Sequence, residues 1–101
     1  VTTTHGVARA TGVTYRQLDY WARLGLVRPL GNGSGSGVAR RWPERELRVV
    51  ALIGRLVRAG LTLDAAAGAA RTAATAHDLH DVETVRVQLA PGVHLEVILR
   101  P

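Results

Sequence analysis

Glycines stand at 31, 33, 35 and 37 in the stretch GNGSGSG, and Arg40 and Arg41 follow shortly after it. A glycine-rich loop can cradle phosphate with its backbone N–H groups, but a dinucleotide-binding turn needs G-x-G-x-x-G and a nucleotide P-loop needs a lysine behind its glycines. Here the glycines fall on every second residue, and all thirteen basic residues are arginines. The lack of lysine also removes Schiff-base chemistry. With no cysteine there are no disulfides, thiolate metal sites or thiol redox sensing. Ser34 and Ser36, the only serines, lie inside the glycine stretch with no base nearby to activate them. His77, Asp78, His80 and Asp81 offer metal-binding atoms, but they fall in an expected connection, and zinc takes three or four well-placed ligands. What remains is binding: the expectation is no enzyme, no cofactor and no metal.

Charge says what is bound. Residues 1–60 carry ten Arg against Asp19, Glu44 and Glu46, a net +7, whereas residues 61–101 carry three Arg against five acids, a net −2. An acidic partner for the first sixty residues follows, and nucleic acid is the commonest such partner; a merely solubilising charged surface is the alternative. The glycine stretch is then either a plain spacer or the tip of a wing. Charge does not break across it, and Gly and Ser let a backbone approach a surface closely while neighbouring arginines reach phosphates. The wing is the better reading.

These residues must be positioned by a small scaffold. The length of 101 residues with 47% hydrophobic composition suits one compact domain, with dimerisation available to complete its core. No run approaches the roughly 18 apolar residues of a membrane span, so a cytoplasmic, nucleoid-associated protein without membrane contact is expected. The pattern THGVARATGV predicts a short helix over about 5–11, with Thr4 as its cap and Gly12 as its stop. Thr14 caps a second helix, YRQLDYWARLG, in which Leu18, Trp21 and Ala22 line one face while Arg16, Gln17 and Tyr20 line the other. Two short helices across a tight turn, the second presenting polar side chains, describe a helix-turn-helix. LVRPL and VARRW are expected to be the two strands of a hairpin, with Trp21 and Trp42 in the core. Pro43 opens a third helix to about Ala59 with Leu47, Val50, Ala51, Leu56 and Val57 facing inward, and Thr62 caps a fourth, alanine-rich helix. The period then changes to two. Val85, Val87 and Leu89, then Val93, Leu95, Val97 and Leu99, alternate with polar residues around APG, a β-hairpin that must dock on the helices or pair with a second chain. Pairing is favoured, because it would bury both apolar rows and cover the edges. His94 falls on the outer, solvated face.

GVARATGVTYRQLDYWARLGLVRPL, followed by ARRWPERELRVVALIGRLVRAGLTLDAAAG, resembles the DNA-binding domain of MerR-type transcriptional regulators over about residues 4–70. The resemblance implies a winged helix-turn-helix whose second helix enters the major groove while the wing runs along the phosphate backbone. It assigns recognition-helix contacts to Arg16, Gln17 and Tyr20 and the wing arginine to Arg40; Ala39 stands where the family usually has a tyrosine. Typical members continue into a long dimerising helix and an effector-binding domain, whereas this chain turns to VRVQLAPGVHLEVIL. The family's dimer geometry and its activation by untwisting DNA therefore do not carry across.

The expectation is thus a mainly α fold with small β: a winged helix-turn-helix with four helices and a two-stranded wing over residues 1–76, then a hairpin dimerisation element over 77–101. Helix 14–24 would lie in the major groove and wing 30–42 on the backbone, with Thr14, Tyr15, Arg16, Gln17, Tyr20, Arg28, Arg40 and Arg41 contacting double-stranded DNA. The partners are DNA, a second copy of the chain and RNA polymerase. An excisionase-like or architectural DNA-binding protein, and a protein-interaction module using the hairpin, are the rival functions.

Overall fold

The computed structural model describes residues 2–31, 40–76 and 84–99. The tip of the expected wing and the His77–Asp81 cluster lie outside the described residues. Within them, β1 (Thr2–Thr3), α1 (Thr4–Thr11) and α2 (Tyr15–Arg23) precede β2 (Arg41–Trp42), α3 (Glu44–Arg58) and α4 (Leu63–Ala76), and a hairpin of β3 (Thr84–Ala90) and β4 (Val93–Ile98) follows. This is the mainly helical, small-β architecture expected.

Thr3, not Thr4, caps α1: its hydroxyl accepts from the Gly6 N–H at 3.2 Å. Thr4 is committed elsewhere. It is buried, and its hydroxyl accepts from Trp42 Nε1 at 2.9 Å, which satisfies an indole that is fully buried. Gly12, with φ of 75°, ends α1, and Thr14 starts α2 with a capping box in which the Gln17 N–H donates to the Thr14 hydroxyl at 3.1 Å and the Thr14 N–H donates to Gln17 Oε1 at 3.0 Å. Gly25, with φ of 77°, then closes α2: its N–H bonds to the Ala22 carbonyl and the Leu26 N–H to that of Trp21. Both ends of α2 are therefore set by local chemistry. Its orientation is set by Leu18 and Trp21, which are buried in the shared core.

LVRPL does not form a full strand. Pro29 has no N–H to donate, and the Arg28 N–H goes to Glu46 Oε1 at 2.7 Å, so only Leu30 pairs with Arg41, through reciprocal bonds of 2.7 and 2.9 Å. Arg41 and Trp42 pair instead with Thr3 and Thr2. The N-terminal residues thus supply the second neighbour of the return strand.

Helix α3 is the centre of the core. Val49, Val50, Leu52, Ile53 and Leu56 are buried, whereas Leu47, Ala51 and Val57 are only partly so. The buried face is wider than the spacing suggested because α1 packs on one side of α3 and α4 on the other. Gly54 marks the tightest approach, where an added Cβ would stand 2.8 Å from Val13 Cγ2. Gly54→Ala gains helix propensity of about 1 kcal/mol, but Val13 is buried and branched at Cβ, so repacking should outweigh that gain. A net loss of about 1 kcal/mol is expected in urea denaturation; a stabilised variant would mean the helix-turn-helix corner is looser than this.

Thr62 caps α4 by accepting from the Ala65 N–H at 3.2 Å, as its sequence predicts. Ala66, Ala67, Ala69, Ala70, Ala73 and Ala74 are buried, and small side chains let α3 and β3 both approach the helix closely. The hairpin pairs in register Val85↔Val97 and Val87↔Leu95. Val85 and Val87 are buried with the alanines of α4 in one core, so the hairpin docks on its own chain. The cover stops there. A register shift between Gln88 and Ala90 interrupts the ladder, and Leu89, Val93, Leu95 and Ile98 remain exposed. Among the described residues no helix is long and apolar enough to cross a membrane.

Candidate nucleic-acid interface

With Leu18 and Trp21 turned inward, a rotation of 100° per residue puts Arg16, Tyr20 and Arg23 on the opposite stripe of α2. Tyr20 is 55% exposed and the Arg23 side chain 73%. Sequence reasoning missed Arg23, although its spacing of seven from Arg16 and three from Tyr20 is the signal that places it there. Tyr15 is half exposed at the helix start, where its ring stacks on His5 with centroids 4.9 Å apart. Thr14 and Gln17 are exposed but occupied with each other in the capping box, the amide oxygen of Gln17 accepting from both the N–H and the hydroxyl of Thr14. Arg28 and Arg41 are exposed beside the Leu30–Arg41 bridge, at the base of the expected wing.

Arg40 stands apart from the other candidates. Its side chain is only 10% exposed, and its guanidinium lies 2.6 Å from Asp19 Oδ1 across the gap between α2 and β2. Asp19 also takes Arg23 Nε at 3.0 Å. The hydrogen bond from Arg40 does most to hold the Asp19 carboxyl below its ordinary value of 3.8; burial opposes it and the charge of Arg23 adds to it. One carboxylate therefore joins the exposed stripe of α2 to the residue that leads into β2.

A second carboxylate fixes the wing's base from below. Glu46 is buried and accepts from the Arg28 N–H at 2.7 Å and from both Arg71 Nη1 and Nη2 at 2.9 Å, while Arg71 Nη2 also donates to the Leu26 carbonyl at 3.2 Å. Burial pushes the Glu46 carboxyl upward, but the bonds from Arg71 and the Arg28 N–H outweigh it and leave the group below its ordinary 4.5. The same contact raises Arg71 above its ordinary value, chiefly through the hydrogen bond to Glu46. Sequence reasoning missed this pair too. The signal was available: Glu46 leads the buried stripe Val49, Val50 and Ile53, and Arg71 sits between Ala67 and Ala74 on the buried face of α4. Arg45 adds a further tie between these helices by donating to the Ala74 carbonyl.

Among the described residues no group of three or more His, Cys, Asp or Glu is placed to hold a metal ion. The arrangement is a cationic, aromatic-bearing helix face held beside a basic strand. Residues 2–73 match the family model described as MerR HTH family regulatory protein. The chain belongs to this family. The match takes in β1 through most of α4 and leaves out the hairpin. Over 53 residues the chain is 43% identical to uncharacterized HTH-type transcriptional regulators of Mycobacterium tuberculosis and Mycobacterium bovis, covering 52% of this chain and 24% of each relative. It thus spans about a quarter of the length of these mycobacterial proteins. Within the MerR-family domain, the structure brings Thr14, Tyr15, Arg16, Gln17 and Tyr20 together on α2, sets Arg28 and Arg41 beside the wing's base, and turns Arg40 toward Asp19.

Proposed function

We propose that this MerR-family chain is a sequence-specific, double-stranded-DNA-binding transcriptional regulator that acts as a dimer. The observation that carries the reading is the exposed stripe of Arg16, Tyr20 and Arg23 on a helix whose two ends and inner face are all fixed. In this reading α2 lies in the major groove, where Arg16 reaches a base edge or a phosphate, Tyr20 donates a hydroxyl hydrogen bond to a phosphate, and Thr14, whose hydroxyl is spent on the capping box, touches the backbone at the helix start. Tyr15 and Gln17 serve at the rim of the same face. Segment 30–42 runs along the backbone, and Arg28 and Arg41, both exposed, neutralise flanking phosphates. Two copies joined through the hairpin would match two half-sites, with RNA polymerase as a further partner and the nucleoid as the place of action.

Binding to duplexes carrying candidate upstream sites, run across a salt series beside a random duplex of equal length, tests the reading. If each protomer neutralises about three phosphates, the logarithmic slope for a dimer is about −5, and affinity falls roughly a thousandfold between 50 and 200 mM salt. A flat salt response would sink the mechanism. Equal binding to both duplexes would favour an architectural, excisionase-like protein, and binding to neither a protein-interaction module whose contact is the exposed end of the hairpin.

A further inference from the structure

Arg23, on the exposed stripe of α2, and Arg40, before β2, share one carboxylate, and they share it unequally. Arg23 pairs with Asp19 along the same helix with 73% of its side chain exposed, a solvated contact that phosphate can replace at little cost. Arg40 reaches Asp19 from 21 residues away, at 2.6 Å, with 10% of its side chain exposed. A guanidinium so placed is already neutralised. Turning it toward DNA would strip Asp19 of its closest partner and leave the carboxylate facing the phosphates.

The surroundings say what the contact does. Arg41, the next residue, carries both the bridge to Leu30 and the pairing to Thr3, so residue 40 is the point at which the chain leaves the described wing base. Asp19 lies one position before Tyr20 on α2. The pair is thus a direct polar tie between the helix proposed to enter the groove and the strand proposed to follow the backbone. A two-point grip on DNA depends on the distance between its points, and an error of about an ångström in that spacing breaks contacts at one of them.

We propose that Arg40 is a positioning residue, which through Asp19 clamps the return side of the wing to the recognition helix, so that sequence discrimination depends on the clamp and not on a phosphate contact by Arg40. The inference rests on the DNA-binding reading above. A clamp and a phosphate contact differ in three measurable ways. Loss of a phosphate contact weakens all DNA alike and lowers the salt slope by about one. Loss of a clamp leaves the slope, lowers discrimination between sites, and makes the two partners' substitutions non-additive.

The experiment uses the full chain as wild type, Asp19→Asn, Arg40→Gln and both together, with binding to a site-bearing and a random duplex across salt, and thermal melting without DNA. Each single substitution is expected to reduce discrimination about tenfold, and the double no more than either, with slopes equal to the wild type's. Melting midpoints should show the same non-additivity. The exchange Asp19→Arg with Arg40→Asp should restore part of the discrimination, which no phosphate contact at position 40 would survive. The proposal is overturned if Arg40→Gln lowers the slope by about one and weakens both duplexes equally, or if the melting effects simply add. Failure of the wild type to bind either duplex would instead refute the DNA-binding reading, while non-additive melting would still report the clamp.

Discussion

Glu46→Ala is expected to lower stability by about 3 kcal/mol, the low end for breaking a buried ion pair by removing one partner. For a chain of 101 residues this is a fall of roughly 12–20 °C in the melting midpoint. The substitution leaves the Arg71 guanidinium without the carboxylate that receives both its terminal nitrogens, and the Arg28 N–H without an acceptor in a half-buried position. It also unties three elements at once, because the pair joins α3 to α4 and both to the segment running from Leu26 to Arg28. Glu46→Gln, which keeps one oxygen for the Arg28 N–H, should lose less than the alanine. The pH dependence has a definite sign. The Glu46 carboxyl lies below its ordinary 4.5 in the folded chain, so its contribution is complete above that value and is lost as pH falls from about 4.5 through the folded value. Melting of wild type and Glu46→Gln between pH 7 and pH 3 reads this directly. The two curves should converge as the solution becomes acidic, and a constant gap would mean the carboxylate's charge is not what holds the wing's base.

Glu46 and Asp19 also mark where the sequence stops being legible. The helices could be read because their signals are local: a threonine hydroxyl at Thr14 or Thr62 finds its N–H three residues on, and Gly12, Gly25 and Gly60 take the positive φ that ends a helix. The alternation of Val85, Val87 and Leu89 could be read for the same reason. Thr3 against Thr4 could not be separated, since two adjacent threonines offer the same cap and only Trp42, 38 residues away, decides which is withheld. The two carboxylate ties are of that kind. These ties join residues 18 to 25 positions apart, and charge patterning along the chain does not say which of the thirteen arginines will be neutralised internally. On the candidate interface the stripe of Arg16 and Tyr20 was legible from helical spacing, whereas the diversion of Arg40 from solvent to Asp19 depends on how β2 lies against α2.

The hairpin gives the second large effect. Val85 and Val87 are 3% and 1% exposed, and their burial against α4 contributes roughly 3–4 kcal/mol. Val87→Asp would place a carboxylate in the apolar core cluster that the hairpin shares with the alanines of α4. The chain can escape that cost by releasing the hairpin, so the expected loss is capped near the docking energy, about 3–4 kcal/mol, and falls on one part of the molecule. Hydrogen exchange should show protection lost in residues 84–99 and weakened in α4, with α1 to α3 close to wild type. Loss of protection throughout would mean that the helices cannot stand without the hairpin. Leu95→Asp separates docking from pairing. Leu95 faces Val87 across the ladder yet is 43% exposed, so a charge there should leave the melt of an isolated chain nearly unchanged. Self-association through the uncovered row of Leu89, Val93 and Leu95 would be lost with it. Sedimentation of the two variants therefore distinguishes a hairpin that only shields α4 from one that also joins two copies: in the second case Leu95→Asp turns a dimer into a folded monomer, and the salt slope of DNA binding should fall to about half its former value with it.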